Sequence, residues 1–107
     1  MIILTNIKDF VCPTLITLES LGGRAWLSDI KEQFYRKFAD QLDSSKDWNE
    51  QMENHGEKRW EDYCGSRVYW HCLKPNGYVN VERHGKKGSI WELTSAGRMK
   101  IASCNNV

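Results

Sequence analysis

Apolar residues along the chain recur first at helical spacing. In "PTLITLESLGG", Leu15, Leu18 and Leu21 fall about one turn apart behind Pro13, whose missing N–H suits a first helical turn. Gly22 and Gly23 then supply the left-handed residue that commonly closes a helix, so a first helix is predicted over 13–21. "RAW", at 24–26, fits a short strand. Ile30, Phe34, Phe38 and Leu42 follow at steps of four. With Ser28 as N-cap, Asp29 in the first turn and Arg36 and Lys37 outward, they predict a second helix over 28–42.

From 43 to 58 the periodicity stops. "DSSKDWNEQMENHGEK" is polar and acidic, and reads as a loop with one helical turn around Trp48 to Glu53. Loops of this length in small domains are more often functional or mobile than idle. A third helix is predicted from Arg59 to Lys74, stopped by Pro75, Asn76 and Gly77. At about 100° per residue, Cys64, Gly65, Val68, Tyr69, Cys72 and Leu73 share a core face. Trp60, Tyr63, Arg67, Trp70, His71 and Lys74 collect on the other side, which sets three large aromatics where water is expected. Either the loop, with Trp48 and Met52, folds over these rings, or they form a stacking surface.

Beyond Gly77 the period changes to two. "YVNVER" and "IWELT" alternate around the glycine-bearing turn "HGKKGS", a hairpin whose tip carries Arg83, His84, Lys86 and Lys87. Thr94 or Ser95 then caps a short last helix containing Arg98, Met99 and Ile101. The order is helix, short strand, helix, loop, helix, hairpin, helix. That is an α+β winged helix: a helix-turn-helix with a C-terminal two-stranded β-wing and about four helices.

Composition narrows the picture. One hundred and seven residues, 40% of them hydrophobic, suit a single domain over 1–107 with its core in 13–102. The longest uncharged apolar stretch, Phe10 to Leu18, is too short to span a bilayer and lacks the basic start of a signal peptide. A soluble, cytoplasmic protein with no membrane partner is expected. In that compartment Cys12, Cys64, Cys72 and Cys104 should be reduced and mostly buried, with Cys104 exposed near the terminus. None of their spacings suits a zinc site, so no metal or cofactor is expected.

The net charge of +1 conceals an uneven distribution. Residues 43–62 carry three basic and seven acidic side chains, whereas residues 63–107 carry seven basic and only two acidic. The second half has the basic footprint that a nucleic-acid binder needs.

"LKPNGYV…GSIWELTSAGR" resembles the end of the winged-helix domain at the N-terminus of Mrr-type, modification-dependent restriction endonucleases. The matching positions are Leu73, Gly77, Tyr78, Val79, Gly88, Trp91, Leu93, Thr94, Gly97 and Arg98. "LITLESLGG", "LSDIKEQF", the polar insertion before the third helix and Arg67–Val68 within it are similar too, so the likeness covers about 13–102. Pro75 and the bulky Tyr69 and Trp70 depart from the family pattern. The resemblance implies a DNA-recognition domain of a restriction-type system, acting on double-stranded DNA in plain or methylated form. Its partner would be a separate nuclease domain or subunit. The family's cleavage motif is missing: no Glu-X-Lys occurs, and neither proline precedes an acid. The chain is therefore not expected to be an enzyme.

Within that frame, Arg59, Trp60, Tyr63, Ser66, Arg67, Trp70, His71 and Lys74 are the DNA-facing candidates of the third helix. Arg67 is the candidate for a bidentate guanine contact, and Arg59 and Lys74 for phosphates. Arg83, His84, Lys86 and Lys87 would hold the backbone and give a log–log salt slope of roughly −2 to −4. Trp60, Tyr63 and Trp70 would meet a methyl group or stack on a flipped base. His55, His71 and His84 are scattered and form no nucleophile–base pair, and "WNEQMENHGE" lacks the second histidine of an HNH nuclease. The rival readings are a small dimeric transcriptional regulator and a winged helix used for protein–protein contact.

Overall fold

A computed structural model describes residues 3–52 and 56–104. It is an α+β fold of four helices and one three-stranded antiparallel sheet. The first helix, α1 (Val11–Ser20), follows a 3-10 turn at Ile7–Phe10 and so starts ahead of the predicted position 13. Asp9 explains the earlier start, since its carboxylate accepts from the backbone N–H of Thr5 (3.0 Å) and Asn6 (2.9 Å). α1 buries residues almost all round, including Val11, Thr14, Leu15, Thr17 and Leu18, as a central helix must. It ends as its glycines predict. Gly22 adopts φ +96°, its N–H reaches the Glu19 carbonyl (3.0 Å), and the Gly23 N–H reaches Leu18 (2.9 Å).

β1 (Arg24–Trp26) runs straight into α2 (Leu27–Phe38). Trp26 occupies the N-cap, so Ser28 lies inside the helix and does not cap it. Ile30 and Phe34 are buried as the stripe requires. A 3-10 turn at Ala39–Gln41 ends the helix before Leu42, which instead forms a parallel bridge with Leu4.

The third helix, α3, starts as Arg59–Asp62 and continues through two π-helical stretches, Tyr63–Arg67 and Tyr69–Leu73. Its buried apolar residues are Trp60, Cys64, Val68 and Leu73, spaced by four, four and five. That interval is wider than the 3.6 residues of an α-helical turn. The wider winding therefore brings Trp60 into line with the core residues, against the α-helical projection. The flexible end of the Lys31 side chain lies over Gly65, where a Cβ would come 2.6 Å from its Cε and displace it. The end is a second glycine stop: Gly77 has φ +66°, and the Tyr78 N–H bonds the Leu73 carbonyl at 2.9 Å.

β2 (Val79–Arg83) and β3 (Ser89–Leu93) form the predicted hairpin around a 3-10 turn at Gly85–Lys87. β3 is the central strand. Val81 faces Trp91 on one side, and Ala25 of β1 faces it on the other. α4 (Ser95–Cys104) is capped by Thr94, whose hydroxyl accepts from Gly97 (3.0 Å) and donates to the Gly77 carbonyl (2.5 Å). One hydroxyl thus joins the start of α4 to the stop of α3.

Two expectations need correction. Cys12 and Cys104 form a disulfide, with Cα atoms 5.9 Å apart, because α1 and α4 pack side by side. Cys64 and Cys72 remain free, and burial pushes the Cys64 thiol up. The 43–58 segment is the expected loop where it is described, and it folds onto the domain, but without the expected helical turn. Its Trp48 is 5% exposed and packs on Phe10, ring centroids 5.5 Å apart. Glu53, the end of the expected helical turn, and His55 lie outside the described residues. Among the described residues from Trp48 to Met52 there is no helix, only a bridge from Gln51 to Lys58.

Candidate nucleic-acid interface

The two candidate elements, α3 and the hairpin, lie against each other. Ser66, Tyr69 and Trp70 of α3 line one groove together with Val81, Arg83 and Ser89 of the hairpin. At the tip Arg83, Lys86 and Lys87 are exposed and have no ion-pair partner among the described residues. His84 is held differently. Its Nε2 sits 2.9 Å from Glu82, and its ring packs edge-on against Trp26 at 5.3 Å. Glu82 also accepts from Arg24 (2.9 Å), so the base of the hairpin is internally charge-balanced while its tip is not.

The candidates on α3 divide in two. Trp60 is only 9% exposed, stacked on Phe34 and against Tyr35 at 4.6 Å. Tyr63 is half-buried, with Trp48 edge-on at 5.0 Å and Phe10 at 5.4 Å. Trp70 is 51% exposed, with the Lys74 ammonium 4.4 Å above its ring. The segment before α3 therefore covers Tyr63 through Trp48 but leaves Trp70 open. Of the two readings of these rings, covering by the loop applies to Tyr63, α2 covers Trp60, and one open ring is left for stacking.

The arginines are engaged as well. Arg59 pairs with Glu50, the main cause holding its guanidinium pKa above the ordinary value, and its Nε donates to the Asp47 carbonyl. Arg67 donates through Nε to the buried Asp62 at 2.5 Å and lies over the Tyr63 ring at 5.5 Å. Its side chain is still nearly half exposed. Lys31 of α2 pairs with Glu57 at 3.0 Å. The acids of 43–62 thus meet cations of α2 and of the first half of α3. On α3 and the hairpin, Lys74, Arg83, Lys86 and Lys87 are the cations without an ion-pair partner among the described residues. His71, exposed, lines a separate cavity beside Lys8, Cys12, Cys72 and Lys100, away from the hairpin groove.

A cavity of about 700 Å³ was not foreseen. It opens between α2, the start of α3 and the hairpin tip, with Trp26, Tyr35 and Trp60 among its walls and Lys87 at its edge. Tyr35 and Trp26 sit at element boundaries or beside the apolar stripe, where periodicity marks nothing. Among the described residues no group of three acids, histidines or cysteines is placed to hold a metal ion, and no helix is long and apolar enough to cross a membrane. Comparison with protein-family models, curated proteins and solved structures finds no match.

Proposed function

We propose that this chain is a winged-helix DNA-binding module, similar to the N-terminal recognition domain of Mrr-type restriction endonucleases and without a catalytic role of its own. The observation that carries the reading is the shared groove of α3 and the hairpin, lined by Arg83, beside a hairpin tip whose exposed Lys86 and Lys87 have no ion-pair partner among the described residues. Arg83, Lys86 and Lys87 bind phosphates and supply affinity. Ser66, Arg67, Trp70 and Lys74 are the side chains left to face the major groove, with Arg67 turning its remaining N–H groups to a base. Methyl recognition then rests on Trp70, since Trp60 and Tyr63 are enclosed. In a restriction-type system the cutting activity belongs to a separate domain or subunit.

The test is a salt titration of binding to a generic duplex. Each phosphate contact contributes about 0.9 to the log–log slope, so Lys86→Ala with Lys87→Ala should flatten the slope by roughly 2. An unchanged slope removes the hairpin from the interface. Trp70, half exposed on α3, favours a second reading in which the same face contacts a protein. Under that reading no duplex binding is seen at low salt.

A further inference from the structure

A second cavity, about 310 Å³, opens where the end of α3 meets α4 and the turn before α1. That volume is at the lower end of the range of about 300–1,000 Å³ usual for ligand pockets, so it suits a small molecule. Basic residues from three elements line it: Lys8 on the 3-10 turn, His71 on α3 and Lys100 on α4. Among the described residues no Asp or Glu lines it, and neither lysine has an ion-pair partner. Asp9, next to Lys8 in the chain, accepts instead from the backbone N–H groups of Thr5 and Asn6.

The disulfide helps to hold this arrangement. Each lysine stands four residues before a bonded cysteine, Lys8 before Cys12 and Lys100 before Cys104. Residues four apart share a helix face, so the bond ties the two lysine-bearing faces to each other. Charge of one sign in a concave wall gives a focused field. The 700 Å³ cavity differs, because there Glu57 offsets Lys31 and Glu32 offsets Arg36. Tyr78 and Cys72, both half-buried, add apolar wall beside the cations.

We propose that this cavity binds a small organic phosphate monoester. The inference stands apart from the DNA-binding reading, since the cavity lies away from the hairpin groove. A phosphate monoester carries about −1.5 to −2 charges at neutral pH and three strong acceptor oxygens, which two ammonium groups match. Lys8 and Lys100 donate to those oxygens, His71 adds a ring N–H, and the carbon part of the ester packs on Tyr78. A backbone phosphodiester carries a single charge and continues as chain on both sides, so the charge match favours the monoester.

The test is isothermal titration calorimetry on the whole oxidised chain with phenyl phosphate, inorganic phosphate and phenol. Phenyl phosphate should bind, inorganic phosphate should bind about fourfold or more weakly for want of buried carbon, and phenol should not bind. Lys100→Gln should weaken phenyl phosphate about tenfold or more, the loss of one charge-assisted hydrogen bond. Lys8→Gln should do the same, and because Lys8 is exposed its variant separates binding from folding. Lys37→Gln, at an exposed lysine of α2 outside the cavity, should leave the affinity unchanged. No heat with phenyl phosphate, or binding that survives both cavity substitutions, overturns the site. Equal affinity for inorganic and phenyl phosphate overturns the organic ligand. A duplex without terminal phosphates that displaces phenyl phosphate assigns the cavity to the DNA backbone and overturns the proposal.

Discussion

Cys12 and Cys104 close a loop across 92 positions, so their bond constrains nearly the whole unfolded chain. In the chain-entropy description, cross-linking a loop of that length raises the free energy of the unfolded state by about 4.6 kcal/mol at 25 °C. Removing a native disulfide from a small domain usually costs about 2–5 kcal/mol. Against a typical net stability of about 5–15 kcal/mol, that is a large share. Little of the loss should come from the native state, because Ile101, 3% exposed, still docks α4 in the core. The perturbation is Cys104→Ser, or reduction of the native chain. Urea unfolding should show a midpoint lower by an amount worth about 2–5 kcal/mol, with a steeper slope because the uncross-linked chain exposes more surface. The melting temperature should fall by at least about 8 °C. Two controls isolate the bond: Cys104→Ser should not respond to reductant, and the unfolded oxidised chain should present two titratable thiols, from Cys64 and Cys72. Four thiols, or identical urea curves with and without reductant, would refute the reasoning.

Gly97→Ala should destabilise by about 1–3 kcal/mol, read as a lower urea midpoint, because a Cβ there would lie 2.2 Å from the Tyr78 carbonyl oxygen. Thr94→Val removes the α4 cap and leaves the Gly77 carbonyl without its hydroxyl donor, for an expected loss of about 0.5–2 kcal/mol by the same measurement. The Asp43 carboxylate is held below its ordinary 3.8 mainly by the Ser45 backbone N–H, with help from the Ser45 and Thr5 side chains and Lys46. Because the folded value is the lower one, its contribution is present above about pH 3.8 and disappears as pH falls through the folded value. Asp43→Asn should therefore lose stability at neutral pH but converge with the native chain at the acid end of a pH–stability profile. Parallel profiles would contradict this.

Wherever a local rule was enough, the chain was readable in advance. Gly22 and Gly77 sit at left-handed stops that almost any other residue would strain, so both helix ends could be placed from sequence. Alternation at Val79, Val81, Trp91 and Leu93 placed the hairpin, and the excess of cations beyond Tyr63 pointed to its tip. Ser28 misled because a chain leaving β1 enters α2 directly, with Trp26 in the cap position. Tyr63 is covered by Trp48, one of the two readings open from sequence, whereas the projection of α3 misplaced Trp60 for a different reason. An α-helical projection assumes 3.6 residues per turn, and α3 winds wider than that over Tyr63–Arg67 and Tyr69–Leu73.

The sequence by itself determined the element order, the two glycine stops and the position of the basic hairpin tip, because each depends on residues a few positions apart. Only the tertiary structure decided which charges remain free. Glu50 reaches Arg59 only once the polar segment has folded onto α3 around the buried Trp48. It also decided that Cys12 meets Cys104, and that Trp26, Tyr35 and Trp60 surround one cavity. The physical reason is common to all three: they are contacts between elements distant in the chain, and no period or spacing in the sequence encodes which of them will touch.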